Sequence, residues 1–245
     1  MTSSVTLNGS IVLITGAAGS LGTAMAMAVE AAGGTAIRTD LSGVAAMDHA
    51  LDVTSEADWV RVIAAITTKH GRLDGLVNNA GIGVMADVEN TSYADWKRVM
   101  AINADGVFLG CKYAMPLLEK SKAASIVIIS SASGLVGGIG MAAYSASKGA
   151  VRLLSKCVAI SGARKSPPIR CNSVHPAFVD SHMVDIMVDG AKNPDRARQK
   201  LTSQIPLGRM AKPSEVANAV VWLLSGASSF STGTEVVIDG GLVAQ

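Results

Sequence analysis

Ile11-Val12-Leu13-Ile14-Thr15-Gly16-Ala17-Ala18-Gly19-Ser20-Leu21-Gly22 is the stretch whose reading decides the fold. Its first five residues form an apolar, β-branched run, which reads as a buried strand. Glycines at 16, 19 and 22 then make a tight turn, and the segment behind it reads as a helix to about Ala32, stopped by Gly33-Gly34. Glycine permits such a turn, lets backbone approach a phosphate, and packs helix closely on strand. A helix N-terminus offers N–H groups and a positive dipole end to a pyrophosphate. Strand, glycine-rich turn and helix in this order point to a dinucleotide held by Gly16, Gly19, Ser20, Leu21 and Gly22.

The same alternation continues outward. Thr35–Thr39 reads as a second strand ending at Asp40, and a third should end near Leu51-Asp52. The stretch between them is short for a helix, so a turn or stub is expected there. Thr54-Ser55-Glu56-Ala57-Asp58 opens a helix to about His70, and Leu73–Val77 is a strand leading into Asn78-Asn79-Ala80-Gly81. Thr91-Ser92-Tyr93-Ala94-Asp95 opens a long helix to about Glu119 with Asn103 inside it. Strands follow at Ser125–Ile129, Ile169–Val174 and Glu235–Ile238, with helices carrying Tyr144 (to about Ala163) and Val216 (from Lys212-Pro213-Ser214) between them. Ser181 to Gly208 reads as a mobile flap with short helices. Seven strands alternating with helices imply an α/β fold: one domain over 1–245, a doubly wound parallel sheet in three layers, with ligand beyond the strands' carboxyl ends.

Composition narrows the function. Of 245 residues, 49% are hydrophobic, which fits a sheet covered on both faces. A net charge of +2 without a basic run speaks against nucleic acid. No apolar run approaches the roughly eighteen residues of a membrane span, and Met1 to Ser10 lacks the pattern of a signal peptide. Cys111, Cys157 and Cys171 stand at unrelated spacings and read as unpaired thiols of a reducing cytoplasm. His49, His70, His175 and His182 have no metal-ligand spacing; His182, in the flap, is the one expected near substrate.

Asp40 ends the second strand, where a carboxylate accepts hydrogen bonds from ribose hydroxyls and repels a 2′-phosphate. Leu41, Ser42 and Gly43 supply no cation to hold that phosphate. NAD (NADH) is therefore expected over NADP, although Arg38 points to the same side of the strand and weakens the inference. Asp52, with Val53 beside it, either reaches the adenine or caps the helix that follows.

A second decisive stretch is Ser130 to Lys148. Tyr144 and Lys148 are four apart and share one helix face. A free phenol has a pKa of about 10, and a nearby ammonium favours its anion. Ser131, at the end of a strand, can hold a substrate oxygen. The three make a general acid/base, its tuner and an orienter. Ser130 rivals Ser131, and spacing to Tyr144 favours Ser131.

Together these residues resemble the short-chain dehydrogenase/reductase family, in its compact single-domain branch with a Rossmann fold. The markers are Thr15 to Gly22, Asn78 to Gly81, Asn103, Ser131, Tyr144 to Lys148, and Pro176 to Ser181. The resemblance implies oxidation of an alcohol or reduction of a ketone with a nicotinamide cofactor, and a catalytic Asn103, Ser131, Tyr144 and Lys148. It implies that Asn103 holds a water linking Lys148 to solvent, that Lys148 binds the nicotinamide ribose, and that Val179 and Ser181, after Pro176, hold the carboxamide. Asn79, Ala80 and Gly81 would pack beside the cofactor, Asn79 chiefly as structure. Three features depart from the family: Ser20 stands where the middle glycine is usual and is expected to cap the helix and touch a phosphate, Ala177 replaces the usual glycine after Pro176, and the crossover after Asp40 is short. The C-terminal end, Ile238 to Gln245, resembles secondary-alcohol dehydrogenases that form homotetramers; a magnesium at that interface, near Gln245, comes from the resemblance alone.

The substrate wall is expected from Ser133, Val136, Met141, Phe178, Met183 and Met187, although each methionine equally suits core packing. That lining suggests a hydrophobic secondary alcohol or ketone, cyclic or steroid-like. A 3-oxoacyl-thioester reductase and a non-catalytic dinucleotide-binding protein are the alternatives.

Overall fold

The computed structural model describes residues 5–189 and 192–245; residues 1–4 of the polar start and 190–191 of the expected flap lie outside the described residues. Seven strands form one parallel sheet: β1 (Ile11–Thr15), β2 (Thr35–Asp40), β3 (His49–Ala50), β4 (Gly75–Asn78), β5 (Ser125–Ile129), β6 (Arg170–Pro176) and β7 (Glu235–Ile238). Their order is β3-β2-β1-β4-β5-β6-β7. The winding reverses between β1 and β4, so the segments leaving these strands part and open a crevice at their carboxyl ends.

Strand periodicity divides the core in two. Ile11, Leu13, Leu76, Ile126 and Ile128 face one side. There they meet Trp59, Val62 and Ile66 of α2 (Glu56–His70), Leu117 and Leu118 of α4 (Gly106–Leu118), and Val151 of α5 (Ala142–Ala163). Val12, Ile14, Val77, Val127 and Ile129 face the other, against Met25 and Val29 of α1 (Ser20–Ala31) and Val216, Val220 and Leu223 of α8 (Pro213–Leu224). Burial of both faces explains why the strands read as continuous apolar runs. Ser55 and Ser92 cap α2 and α3 (Tyr93–Met100), each accepting from the backbone N–H three residues on.

Two elements differ from the sequence reading. The third strand is only His49–Ala50, one residue short of the expected end, and the stretch before it is irregular, with Ala46 at φ 60°. The expected continuous helix through Asn103 is broken: α3 passes into a π turn, Ala101–Asp105, before α4. The stretch read as a flap holds two short helices as expected, α6 (His182–Asp189) and α7 (Pro194–Thr202), with Arg198 of α7 bonded to Asp180 and Asp185. The three cysteines are free, Cys157 exposed and the others buried. Among the described residues, no helix is long and apolar enough to cross a membrane.

Candidate active site

Two glycines of the turn, Gly16 and Gly22, are sterically obligatory. Gly16 has φ +63°, and a Cβ there would lie 2.8 Å from Ala80 Cα. A Cβ on Gly22 would lie 2.2 Å from the Gly16 carbonyl oxygen. Gly19 is the N-cap of α1 and no side chain caps that end. Ser20 does not cap it, contrary to the sequence reading: it is the first helical residue, and its Oγ accepts the His182 N–H across the crevice at 3.2 Å. Leu21 packs into the core behind the turn. Asn79 donates to the carbonyls of Thr15 and Gly16, both at 3.0 Å. Thr15 Oγ1 in turn accepts the N–H groups of Asn79 and Ala80 at 3.0 and 3.1 Å. Thr15 is thus the hub joining the two loops, a role its place in an apolar strand did not disclose.

Asp40 closes the crevice beside this turn. Its carboxylate accepts the Ala18 N–H at 3.0 Å and the Leu41 N–H at 2.8 Å. Arg38 is not free to assist a second phosphate: its guanidinium is bound in bidentate fashion by Glu30 at 2.6 and 2.8 Å. That pairing holds the Glu30 carboxyl below its usual range. Asp52 does not cap the helix that follows. Its carboxylate accepts from the Thr54 N–H and hydroxyl at 2.9 and 2.7 Å, a local turn, while Ser55 caps α2. Val53 packs on Gly106 and accepts the Trp59 indole N–H at 2.9 Å.

On the other side of the crevice stand the two hydroxyls. Ser131 follows β5, and its hydroxyl lies close enough to the Tyr144 phenol to favour the anion. Ser130, its rival, donates instead to the Lys148 carbonyl at 2.9 Å. Tyr144 lies in the first turn of α5, with Lys148 one turn on and its Nζ 5.6 Å from the ring centre. Lys148 is buried, and its Nζ donates to the Ile129 carbonyl at 2.8 Å. Burial pulls its pKa down to about 8. Burial also pushes the Tyr144 phenol up, with the Ser131 hydroxyl acting against it. The expected tuning of this phenol by the ammonium therefore does not dominate here: desolvation is the larger effect, and the ammonium is engaged by a carbonyl.

Asn103 sits in the π turn, fully buried. Its Oδ1 accepts the Ile82 N–H at 2.9 Å, and its Nδ2 donates to the Ile82 carbonyl at 2.9 Å and Ser147 Oγ at 3.0 Å. Both amide hydrogens are thus committed to protein groups, and the side chain ties the loop after β4 to α5, next to Lys148. Gly81 lies at this junction; a Cβ there would be 3.2 Å from Asn103 Oδ1 and 3.4 Å from Lys148 Nζ.

The expected substrate wall divides. The Ser133 hydroxyl is 3.8 Å from Met141 Sδ, and its N–H donates to Ser131 Oγ at 3.1 Å. A Cβ on Gly83 would be 4.0 Å from both Met183 Sδ and the Tyr144 ring, so Gly83 neighbours both side chains. Val136 is exposed and Met187 half-buried. Met85, missed from sequence, is on this side: its Cε would be 3.7 Å from a Cβ on Gly140. Phe178 is elsewhere, in a cleft of about 190 Å³ with Ile205, Leu207 and Val237, whose walls include neither Ser131 nor Tyr144. The cause is pairing after β6: the Ala211 N–H donates to the Phe178 carbonyl and the Asp180 N–H donates to the Ala211 carbonyl, turning Val179 into the core and Phe178 to the other side. Ser181 Oγ donates to the Val179 carbonyl at 3.0 Å, and the Pro176 carbonyl accepts from Ser131 Oγ at 3.4 Å. Ala177 has no positive φ, so its backbone does not require glycine. Gln245 donates to the Gln204 carbonyl at 3.1 Å. Among the described residues, no three His, Cys, Asp or Glu side chains are grouped to hold a metal ion.

A cradle whose Gly16 and Gly22 admit no Cβ, a helix N-terminus without a side-chain cap, and a carboxylate at the second strand's end fit a nicotinamide dinucleotide. Comparison with known proteins agrees. Residues 16–243 match the family described as enoyl-(acyl carrier protein) reductase. Cyclopentanol dehydrogenase of Comamonas testosteroni is 39% identical, over 97% of this chain and 98% of its own. The NADP-dependent (R)-specific alcohol dehydrogenase of Lentilactobacillus kefiri is 38% identical, over 79% and 75%. The 3-alpha-(or 20-beta)-hydroxysteroid dehydrogenase of Mycobacterium tuberculosis is 36% identical, over 97% and 91%. The ligand-free structure of Thermoplasma acidophilum aldohexose dehydrogenase superposes with a TM-score of 0.89 at 33% identity, over 98% and 96%. The seven-stranded sheet, the glycine cradle and these relatives place the chain in the short-chain dehydrogenase/reductase family of oxidoreductases.

Proposed function

We propose that this single-domain enzyme interconverts a hydrophobic secondary alcohol, cyclic or steroid-like, and its ketone, with NAD(H) as cofactor. The observation that carries this reading is the grouping of the Ser131 and Tyr144 hydroxyls at the crevice, with Lys148 Nζ 5.6 Å from the Tyr144 ring one helical turn on. When bound, the nicotinamide supplies or accepts the hydride. Ser131 orients the substrate oxygen, and Tyr144 Oη donates a proton to it or takes one from it. Lys148 supports that proton transfer and binds the nicotinamide ribose; Asn103 holds the loops around it. Asp40 disfavours a 2′-phosphate, and Glu30 keeps Arg38 from offsetting this. Met141, Met183, Val136 and Met187, joined by Met85, supply an apolar wall suited to a bulky ring. The exposed Phe108, Leu153 and Ile160 on α4 and α5 support self-association, which we take to be a homotetramer. Free thiols suit the reducing cytoplasm.

The test is turnover of cyclopentanol with NAD and with NADP, followed by the absorbance of the reduced nicotinamide, beside reduction of an acetoacetyl thioester. Wild type should favour the alcohol with NAD. Tyr144→Phe should lower kcat about a thousandfold while leaving NADH binding, measured by its fluorescence, nearly unchanged. Thioester reduction with NADPH alone, or an active Tyr144→Phe protein, would overturn the reading.

A further inference from the structure

Ser131 stands just beyond the end of its sheet. The last ladder bond between β5 and β6 there runs from the Ser130 N–H to the Val174 carbonyl, at 2.8 Å. Pro176 has no N–H to continue it. What holds Ser131 next is a side chain. His175 is fully buried on β6, and its Nδ1 lies 3.1 Å from the Ser131 carbonyl oxygen. Its Nε2 lies 2.8 Å from Ser173 Oγ, two residues back on the same face of the strand. A carbonyl only accepts, so Nδ1 carries the hydrogen and Nε2 accepts from the Ser173 hydroxyl. The ring is neutral: burial pulls its pKa down and outweighs the opposing Ser131 carbonyl and Glu235, with Arg152 and Lys148 adding to the lowering. The Ser131 carbonyl also accepts the Gly134 N–H at 2.9 Å. Two donors from different directions therefore fix its peptide plane. The serine hydroxyl, which must meet Tyr144, inherits that orientation.

We propose that His175 is a positioning residue for Ser131, acting through the Nδ1–H bond to its carbonyl. This rests on the reading of Ser131 as the group that orients the substrate oxygen. Asparagine places an amide nitrogen where Nδ1 lies and keeps the Ser131 contact; glutamine reaches toward Ser173 and loses it. His175→Gln should lower kcat for cyclopentanol and NAD about tenfold to a hundredfold, the scale of a misplaced reacting group. KM and NADH binding should change little, and His175→Asn should restore most of kcat. Equal loss in the two variants, or a fully active His175→Gln protein beside an inactive Ser131→Ala protein, overturns the inference alone. A fully active Ser131→Ala protein removes the reading of Ser131 and this inference with it. An arm independent of turnover uses protein labelled with ¹⁵N-histidine. Its spectrum should show one ring, absent in His175→Asn, with hydrogen on Nδ1; hydrogen on Nε2, or an imidazolium, refutes the proposal.

Discussion

Replacing Lys148 with methionine should make the protein more stable while destroying its activity. The stem of Lys148 fills buried space that a methionine can occupy, and its ammonium has one carbonyl partner, Ile129. Burial lowers its pKa from 10.5 to about 8. A difference of this size corresponds to about 3 kcal/mol spent on keeping the charge desolvated in the folded state. Removing the donor from the Ile129 carbonyl returns about 1 kcal/mol of that. The net gain near neutral pH is about 2 kcal/mol, or roughly 4–8 °C in melting temperature for a chain of this length. The pH dependence carries the sign. Below the folded pKa both states hold the proton, and the penalty on the fold is complete. Between the folded and unfolded values the native state has released the proton and the unfolded chain still binds it, so wild-type stability rises with pH. Lys148→Met lacks this rise. Melting followed by circular dichroism from neutral pH to pH 10.5 should show wild type gaining on the variant above pH 8. If the variant melts lower than wild type at neutral pH, or the gap does not narrow above pH 8, the burial argument is refuted.

Other outcomes follow from the same geometry. Asp40→Asn keeps an acceptor for the Ala18 N–H but removes the charge, and should tighten NADPH binding about tenfold relative to NADH in a titration. Adding Glu30→Gln to that variant weakens the hold on Arg38 and should shift the preference further toward NADPH; no further shift would mean that Arg38 does not reach the phosphate. Glu235, held by Arg152 and Lys156, has its carboxyl lowered to about 2. Its contribution is present above the usual carboxylate range and lost as pH falls from about 4.5 to about 2, so Glu235→Gln should flatten the acid limb of the melting curve.

Much of the chemistry was readable from local pattern. Tyr144 and Lys148 are linked by helical spacing, and Gly16 and Gly22 by a turn that only glycine permits. Ser55 and Ser92 were recognisable as helix starts because capping is a local hydrogen bond. Asp52 was ambiguous because its partner, Thr54, competes locally with any ligand. Phe178 was misplaced because the pairing with Ala211 comes from a segment distant in sequence.

The sequence by itself determined the α/β alternation, the glycine cradle and the hydroxyl, phenol and amine expected to act, since each depends on neighbours within a few residues. Tertiary structure alone decided that Glu30 engages Arg38, that Asn103 spends its amide on Ile82 and Ser147, and that His175 holds Ser131. The Asn103–Ser147 and His175–Ser131 contacts each join residues 44 apart in the chain across separate elements. Glu30 and Arg38 are only eight apart, but meet because α1 folds back onto β2. Their partners are selected by how helices dock on the sheet, which no local spacing encodes.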